Sequence, residues 1–153
     1  MNVSIVKGTD FLYTRDIALG GESYTEILQK KLDIPFEEAE KLKKTSPEQE
    51  ADQPLVESSL EEVSGRLSME IEKTIDFFRT TTESHQISCI YLCGAACQTA
   101  GLQDYLAREL NLPVNILDPF RKIKLSDGMK TQSGWERLGP EYAVSTGLAM
   151  RDF

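Results

Sequence analysis

The alternation of apolar and polar residues at the start of the chain predicts two β-strands. Val3 and Ile5 are separated by one polar residue, and residues 7–10 carry the glycine and polar side chains of a turn. Residues 11–17 give a second stretch of strand-forming residues. Two strands joined by a short polar turn form a hairpin.

Helical spacing replaces this alternation after Gly20 and Gly21. Tyr24, Ile27, Leu28 and Leu32 share one helical face, and residues 33–35 end the helix. Two adjacent glycines ahead of a helix can present backbone N–H groups to an anion, or can form an ordinary strand-to-helix turn.

A second helix is predicted over residues 36–44, with its carboxylates first and its lysines last. This order suits the helix dipole. Glu40 and Lys43 lie three residues apart, on one side of that helix. They form either a solvated surface pair or a pair that reaches a polar ligand such as a ribose.

The middle of the chain is dominated by one long helical pattern. Residues 45–54 are polar and acidic, with a proline near each end, which indicates a surface loop. From residue 55 to about residue 82, apolar residues then recur at helical spacing and predict a long helix packed on the core. They are Leu60, Val63, Leu67, Ile71, Ile75 and Phe78.

Residues 87–102 hold the pattern of greatest functional interest. Residues 87–92 form a short apolar run that predicts a buried strand, and residues 93–96 are all small. Leu102, Tyr105 and Leu106 then begin a helix. A strand, a small-residue turn and a helix bring backbone close to a ligand at the carboxyl end of a sheet. The same small residues can instead serve only close packing of the helix on the strand.

The closing part of the chain predicts one more strand and one more helix. Residues 114–117 form the strand, residues 121–134 are polar and irregular, and the helix spans residues 142–150. Its small residues predict that it lies tightly against a sheet. The order of elements indicates an α/β fold with a helical insertion after the second strand.

Composition narrows the classes of function. The chain has 153 residues, 40% of them hydrophobic, so it is long enough for one cored domain or two small lobes. Its net charge of −8 argues against nucleic-acid partners, which need clustered Lys and Arg. No apolar run approaches the roughly 20 residues that span a bilayer, and no signal peptide opens the chain. We therefore expect a cytoplasmic protein.

The cysteines and the histidine do not predict a metal site. Cys89, Cys93 and Cys97 lie four residues apart, unlike the paired spacing of zinc ligands, and they suit buried reduced thiols. His85 is the only histidine, so neither a metal site nor a triad is expected. Trp135 serves packing or stacking. No catalytic residue is predicted.

Several blocks of the sequence resemble the C-terminal half of the PilM family, the actin-like proteins of type IV pilus assembly, with FtsA-like division proteins as the second resemblance. Residues 36–44 resemble the family's A-E-x-x-K helix, with Ala39, Glu40 and Lys43 in register. The other matching blocks are a strand that ends in a double glycine, the adenosine motif and the closing segment, at residues 13–21, 92–106, 117–120, 139–144 and 147–151.

This resemblance implies the second lobe of an actin-like ATPase. Residues 1–23 and 55–153 would form its RNase-H-like subdomain, with residues 24–54 as an inserted helical subdomain. In the family, nucleotide lies in the cleft between two lobes. Carried over to this chain, the nucleotide-binding positions are Glu40 and Lys43 at the ribose and adenine, Gly94, Ala95 and Ala96 along the nucleoside, and Gly20 and Gly21 at a matching motif position.

Two departures from the family pattern weaken this expectation. The family turn is usually glycine-rich, whereas Ala95 and Ala96 stand here, and their methyl groups could narrow an adenine site. The family's lobe also begins with a central strand that ends in an Asp-Ile-Gly phosphate loop, ahead of the segment that starts here at Met1. Without it and the first lobe, we expect ATP with Mg only in the complete two-lobe protein, and no ATPase activity from this chain alone.

The absent strand would leave unpaired backbone on both of its neighbours. Another chain, a swapped strand or a rearranged pairing would then fill the gap, so self-association by strand exchange is one expectation.

The resemblance implies that the chain serves as a nucleotide-binding scaffold lobe of the pilus-assembly platform. Its partners would hold it peripherally at the cytoplasmic side of the inner membrane. Those partners would be a PilN-like membrane protein tail, bound through the absent first lobe, and other platform proteins. The alternatives are a protein-interaction module without nucleotide binding and a fragment of an FtsA-like division protein.

Overall fold

A computed structural model describes residues 1–45, 52–82, 86–124 and 139–151. The loop predicted at residues 45–54 and the polar stretch at 121–134 lie mostly outside these ranges, and His85 and Trp135 lie wholly outside them. Within them, helices and two small sheets make a mixed α/β fold, which agrees with the predicted class.

The predicted hairpin is confirmed. Strand β1, Asn2–Lys7, pairs antiparallel with β2, Asp10–Asp16, and Ile5 faces Tyr13 across the ladder. Gly8 has a φ of 61°, a backbone conformation that glycine adopts without strain, and it makes the short turn possible. One face of the hairpin packs on the long helix, where the Tyr13 and Phe77 ring centroids lie 5.5 Å apart.

The two short helices follow closely from the sequence. Helix α1 spans Gly21–Leu32, three residues longer at its start than the apolar pattern predicted, and it ends where Asp33 turns left-handed. Helix α2 spans Phe36–Lys44, as predicted. Pro35 stands immediately before it and lacks an N–H, so it fits a position where no helical hydrogen bond is lost.

The long helix α3, Gln53–Thr81, is the main helix of the hydrophobic core. It begins two residues before the predicted position because Pro54 is tolerated in a first helical turn. Helices α1 and α2 contribute to the same core rather than to one of their own, through Leu28 and Ala39. The predicted apolar positions of α3 are all buried: Leu60, Val63, Leu67, Ile71, Ile75 and Phe78.

The second sheet is a parallel pair. Strand β3, Ile90–Leu92, pairs with β4, Val114–Ile116. Between them come a short 3₁₀ helix, Ala95–Gln98, and helix α4, Leu102–Leu110. Among the described residues, this sheet and the hairpin share no ladder.

Two expectations about the central strand were wrong. The ladder covers three residues rather than residues 87–92, and Tyr91 is 57% exposed, so the strand is not buried on both faces. The thiols are not all buried either, since Cys97 is buried but Cys93 is exposed. The apolar run indicated burial correctly only for the face of β3 that packs on the core.

The final helix α5, Ala143–Ala149, follows a 3₁₀ turn at Gly139–Tyr142. The prediction of tight packing was wrong, because Thr146 is its one buried residue and a Cβ added at Gly147 would meet nothing within 4 Å. The segment is held instead by the turn that precedes it, where Gly139 and Pro140 are buried. In the part of the chain that the structure describes, no helix has the length and apolarity needed to cross a membrane.

The burial pattern predicts which leucines maintain the fold. Leu106 is fully buried, so Leu106→Ala should lower the free energy of unfolding by about 2–5 kcal/mol through lost contacts and a cavity. Leu148 lies 52% exposed on α5, and Leu148→Ala should change it by less than about 1 kcal/mol. Urea unfolding followed by circular dichroism measures both, and equal losses would contradict the assignment of the core.

Candidate functional site

A buried lysine lies at the centre of the candidate site. Lys43, near the end of α2, is 4% exposed, because it shares the inward face of that helix with Ala39. Its Nζ donates to the Gly21 carbonyl oxygen at 3.2 Å, to Thr25 Oγ1 at 3.0 Å and to the Glu40 carboxylate. An ammonium group has three N–H donors, so these three acceptors satisfy it completely.

Glu40 is the more accessible member of the pair. Its side chain remains 29% exposed while one carboxylate oxygen, Oε1, accepts from both Lys43 and the Thr25 hydroxyl. Burial acts to raise the pKa of Glu40, but the hydrogen bonds from Lys43 and Thr25 and the lysine charge outweigh it and lower the pKa. Glu40 is therefore held ionised, with part of its carboxylate open to solvent.

Helices α1 and α2 form one side of the candidate site, and the small-residue turn after β3 forms the other side. Gly94 has φ 87° and ψ 168°, a region of backbone space that is essentially restricted to glycine. Its N–H donates to the Pro140 carbonyl at 2.8 Å, and Gln98 donates to Glu141 at 3.1 Å. The turn is thus fixed by the closing segment of the chain.

The two sides of the site, α1 with α2 and the segment after β3, are in direct contact. A Cβ added at Gly21 would lie 3.4 Å from Ala96 Cβ and 3.6 Å from Lys43 Nζ. The Ala100 N–H donates to the Lys43 carbonyl at 2.9 Å, which ties the end of α2 to the start of α4. Segments far apart in the sequence therefore meet around one ammonium group.

The structure brings most of the predicted site residues together. Gly21 accepts a hydrogen bond from Lys43 and lies next to Ala96, and Glu40 joins them through Lys43. The others lie on the same two turns: Gly94 and the exposed Ala95 beside Ala96, and Gly20 as the N-cap of α1. That these residues bind a nucleotide stays a prediction.

The environment of Lys43 contradicts the interpretation of Glu40 and Lys43 as a solvated surface pair, and it leaves Glu40 as the member of the pair that is open to a ligand. The pair is not a solvated surface pair, since Lys43 is buried, and Lys43 has no N–H group left over for a ligand. Sequence reasoning also missed Thr25. The signal was its position four residues after Gly21, on the same side of α1, where its Oγ1 lies 3.1 Å from the Gly21 carbonyl oxygen.

A cavity of about 310 Å³ lies near this cluster, between α3 and α4. Thr45 and Ala100 border it, together with Asp104, Tyr105 and Arg108 of α4 and its flank, but Glu40 and Lys43 do not. It is therefore separate from the candidate site. Within the described ranges, the structure holds no group of three or more His, Cys, Asp and Glu side chains placed to share a metal ion.

Comparison with known proteins decides the family. The model of the family "Type IV pilus assembly protein PilM" matches residues 1–153. The chain belongs to the PilM family. This match covers every block on which the resemblance rested, including the double glycine, the helix of Glu40 and the turn at Gly94.

Solved structures agree on the fold. A chain of a PilM–PilN type IV pilus biogenesis complex matches with a TM-score of 0.83 and 23% identity, over 98% of this chain and 42% of that one. The ethanolamine utilization protein EutJ from Carboxydothermus hydrogenoformans matches with a TM-score of 0.66 and 17% identity, over 97% and 44%. The fold is that of an actin-like ATPase lobe, and the chain spans less than half of either neighbour.

The buried ammonium predicts a specific loss of stability. Lys43→Met should lower the free energy of unfolding by about 2–3 kcal/mol, because Glu40, Thr25 and the Gly21 carbonyl lose their shared donor. Lys44→Met, at the exposed neighbouring position of α2, should cost less than about 0.5 kcal/mol. Urea unfolding measures both, and a loss of similar size in the two variants would refute the bridging role.

The lowered pKa of Glu40 predicts a pH dependence. A carboxyl whose pKa is lower in the folded state stabilises the fold above its unfolded pKa, and this contribution disappears as pH falls through the folded pKa. Wild type should therefore exceed Glu40→Gln in stability at pH 7, and the gap should close below about pH 4. Unfolding curves from pH 7 to pH 3 test this, with the exposed Glu38→Gln as control. A gap that widens in acid would reverse the sign and contradict the assignment.

Proposed function

We propose that this chain supplies the nucleoside-binding lobe of a PilM-type scaffold in type IV pilus assembly. The observation that carries this proposal is the convergence of Gly21, Glu40 and Ala96 around Lys43. These residues come from the motif blocks that the family uses for nucleotide, and they meet although they are distant in sequence. Their convergence in space supports a shared role in binding one ligand.

The geometry supports a division of roles between Glu40 and Lys43. Glu40 is ionised, partly exposed and oriented by Lys43, so its open lone pairs can accept hydrogen bonds from the two hydroxyls of a ribose. Lys43 is a positioning residue, because its donors all go to protein acceptors. The small side chains at Ala95 and Ala96 leave the backbone of the turn accessible to a flat base.

The described residues fit the nucleoside better than the phosphates. A triphosphate with its metal needs clustered carboxylates, backbone N–H groups and basic side chains around the phosphate oxygens. Gly20 is the N-cap of α1 and Gly21 is its first residue, so both can supply N–H groups, but Lys43 is already satisfied. We therefore expect that this lobe holds the nucleoside and that a second lobe supplies the remaining phosphate and metal contacts.

A partner follows from the solved complex. The neighbour that matches 98% of this chain belongs to a PilM–PilN complex. We propose that the complete protein binds a PilN-like tail through its first lobe, and that this contact holds it at the cytoplasmic face of the inner membrane. The present lobe would then report nucleotide occupancy to that interface through closure of the cleft.

One observation favours a second function, an interaction module that binds no nucleotide. The network of Lys43, Glu40, Thr25 and Gly21 is complete without a ligand. Such a closed network can simply hold α1, α2 and the turn in one arrangement. The two functions differ in whether adenosine binds.

Calorimetric titration distinguishes the two functions. Adenosine and ADP should both bind with similar affinity, since the lobe recognises the nucleoside, and Glu40→Gln should weaken both by at least about tenfold through loss of a charged acceptor. Glu38→Gln, exposed on the same helix, is the matched control. Circular dichroism confirms that each variant is folded.

Three outcomes would overturn the proposal. They are no heat of binding with adenosine at millimolar concentration, equal affinity in wild type and Glu40→Gln, and binding of ADP that persists while adenosine fails to compete. The first outcome favours the interaction module. Magnesium-dependent release of phosphate from ATP by this chain alone would contradict the expectation that a second lobe is required.

A further inference from the structure

The cavity between α3 and α4 lies outside the candidate nucleoside site and has a lining of its own. We call it the α3–α4 cavity, and its volume is about 310 Å³. One wall is α3, where Val56, Leu60 and Ser64 recur every four residues, and the other wall is the first part of α4. Small-molecule sites commonly lie between helices and start at about 300 Å³. The cavity therefore has the position and the size of a site for a small ligand.

Contacts beside the cavity set the distance between the two helices. The Tyr105 side chain reaches across to α3, where a Cβ added at Gly65 would lie 3.0 Å from its hydroxyl oxygen. The Arg108 guanidinium covers the same ring, 5.0 Å from the ring centre. The tyrosine thus acts as a spacer between α3 and α4. The smallest lining residues cannot fill the space that remains, and they are Ser64, Ala100 and Gly101.

The floor of the α3–α4 cavity is apolar and its rim is charged. Val56 and Leu60 are 2% and 4% exposed, so the part of the lining that they form lies at the inner side, against the core. The charged lining residues are all exposed and form the rim: Glu57, Glu61, Asp104 and Arg108. A ligand that fills the cavity therefore has an apolar surface beneath it and mainly carboxylates at its outer end.

Two of the rim carboxylates are open to a cation. Arg108 pairs with Glu109 at 3.2 Å and lies 3.9 Å from Glu61, so its charge is already shared between these two. Glu57 accepts a single hydrogen bond from the described residues, on one carboxylate oxygen. Asp104 has no hydrogen bond or ion pair to any residue in the described ranges. Glu57 and Asp104 thus offer unused acceptor oxygens on opposite walls.

The inner side offers little to a polar ligand. The buried Ser64 hydroxyl donates to the Leu60 carbonyl at 2.8 Å, and it also lies 3.1 Å from the Tyr24 hydroxyl. Its one hydrogen is therefore already used. A polar group placed at the floor would lose its bonds to water and regain few of them, which costs free energy. The lining favours a ligand that is apolar inside and charged only at the rim.

An organic cation suits this lining better than a metal ion. In the part of the chain that the structure describes, no three carboxylates are placed to share a metal. Calcium and magnesium need about six or more oxygen ligands, and an apolar floor supplies none of them. An organic cation needs fewer acceptors, and its carbon frame can cover the floor.

We propose that the α3–α4 cavity binds a small organic amine, with its ammonium group between Glu57 and Asp104 and its apolar body on the α3 floor. Hydrogen bonds from an ammonium group to carboxylates are charge-assisted and therefore stronger than neutral ones. Burial of the apolar body removes the floor from water. This inference does not depend on nucleotide binding, because neither Glu40 nor Lys43 borders the cavity.

A lysine side chain of a partner protein carries the same ammonium group, but it is the less favoured occupant. Its narrow, unbranched stem would leave much of the 310 Å³ unfilled. Unfilled space forfeits the dispersion contacts of the atoms that line it. A free amine with an aromatic ring fills more of the cavity, so we assign the site to that class of ligand.

The probe is 2-phenylethylamine, which joins an ammonium group to one aromatic ring through a short stem. In NMR titrations of the chain, it should shift the amide signals of Ser64, Gly101 and Asp104 in a saturable way. Two comparison ligands keep the frame and change the charge: 2-phenylethanol is neutral and 3-phenylpropionate is negative. The amine should bind at least about fivefold more tightly than the alcohol, and this preference should shrink in about 0.5 M salt. The acid should bind more weakly than the alcohol.

Paired variants separate the rim carboxylates from the net charge of the chain. Glu57→Gln combined with Asp104→Asn should weaken binding of 2-phenylethylamine by about tenfold and leave binding of 2-phenylethanol unchanged. Glu26→Gln combined with Glu72→Gln is the matched control, because both residues are exposed and neither borders the cavity. The control changes the net charge by the same amount and should leave both affinities unchanged. Circular dichroism confirms that each variant is folded.

The inference fails on any one of five results. These are no saturable shift with the amine at millimolar concentration, equal affinity for the amine and the alcohol, equal weakening in the two double variants, displacement of the amine by adenosine, and tighter binding of Nα-acetyl-lysine methylamide than of 2-phenylethylamine. The fourth result would make the cavity part of the nucleoside site. The fifth would assign it to a lysine side chain of a partner protein.

Discussion

The burial of one ammonium group organises the part of this lobe that carries its motifs. A charge removed from water costs several kcal/mol unless it is paired and hydrogen-bonded. Lys43 meets that requirement only if the Gly21 carbonyl, Thr25 and Glu40 all lie within reach, so α1 and α2 have one compatible arrangement. The close approach of Ala96 to Gly21 then fixes the turn after β3 against the same group. The geometry of Glu40 is a consequence of this packing, whether or not a ligand is bound.

The sequence predicted the elements of this arrangement better than their environment. The limits of α2 and the buried stripe of α3 followed from helical periodicity, because local spacing determines which residues share a face. The burial of Lys43 could not be predicted in the same way. A carboxylate and a lysine three residues apart look alike on a solvated face and on a packed one, and the difference lies in distant partners such as Gly21 and Ala100.

The errors at β3 and α5 share a physical cause. An apolar or small-residue run indicates what a segment can pack against, but not whether the partner surface is present. Tyr91 belongs to an apolar run and is exposed, and the small residues of α5 pack against little in the described structure. In both cases the pattern reports a capacity for close packing, and the tertiary structure decides how much of that capacity is used.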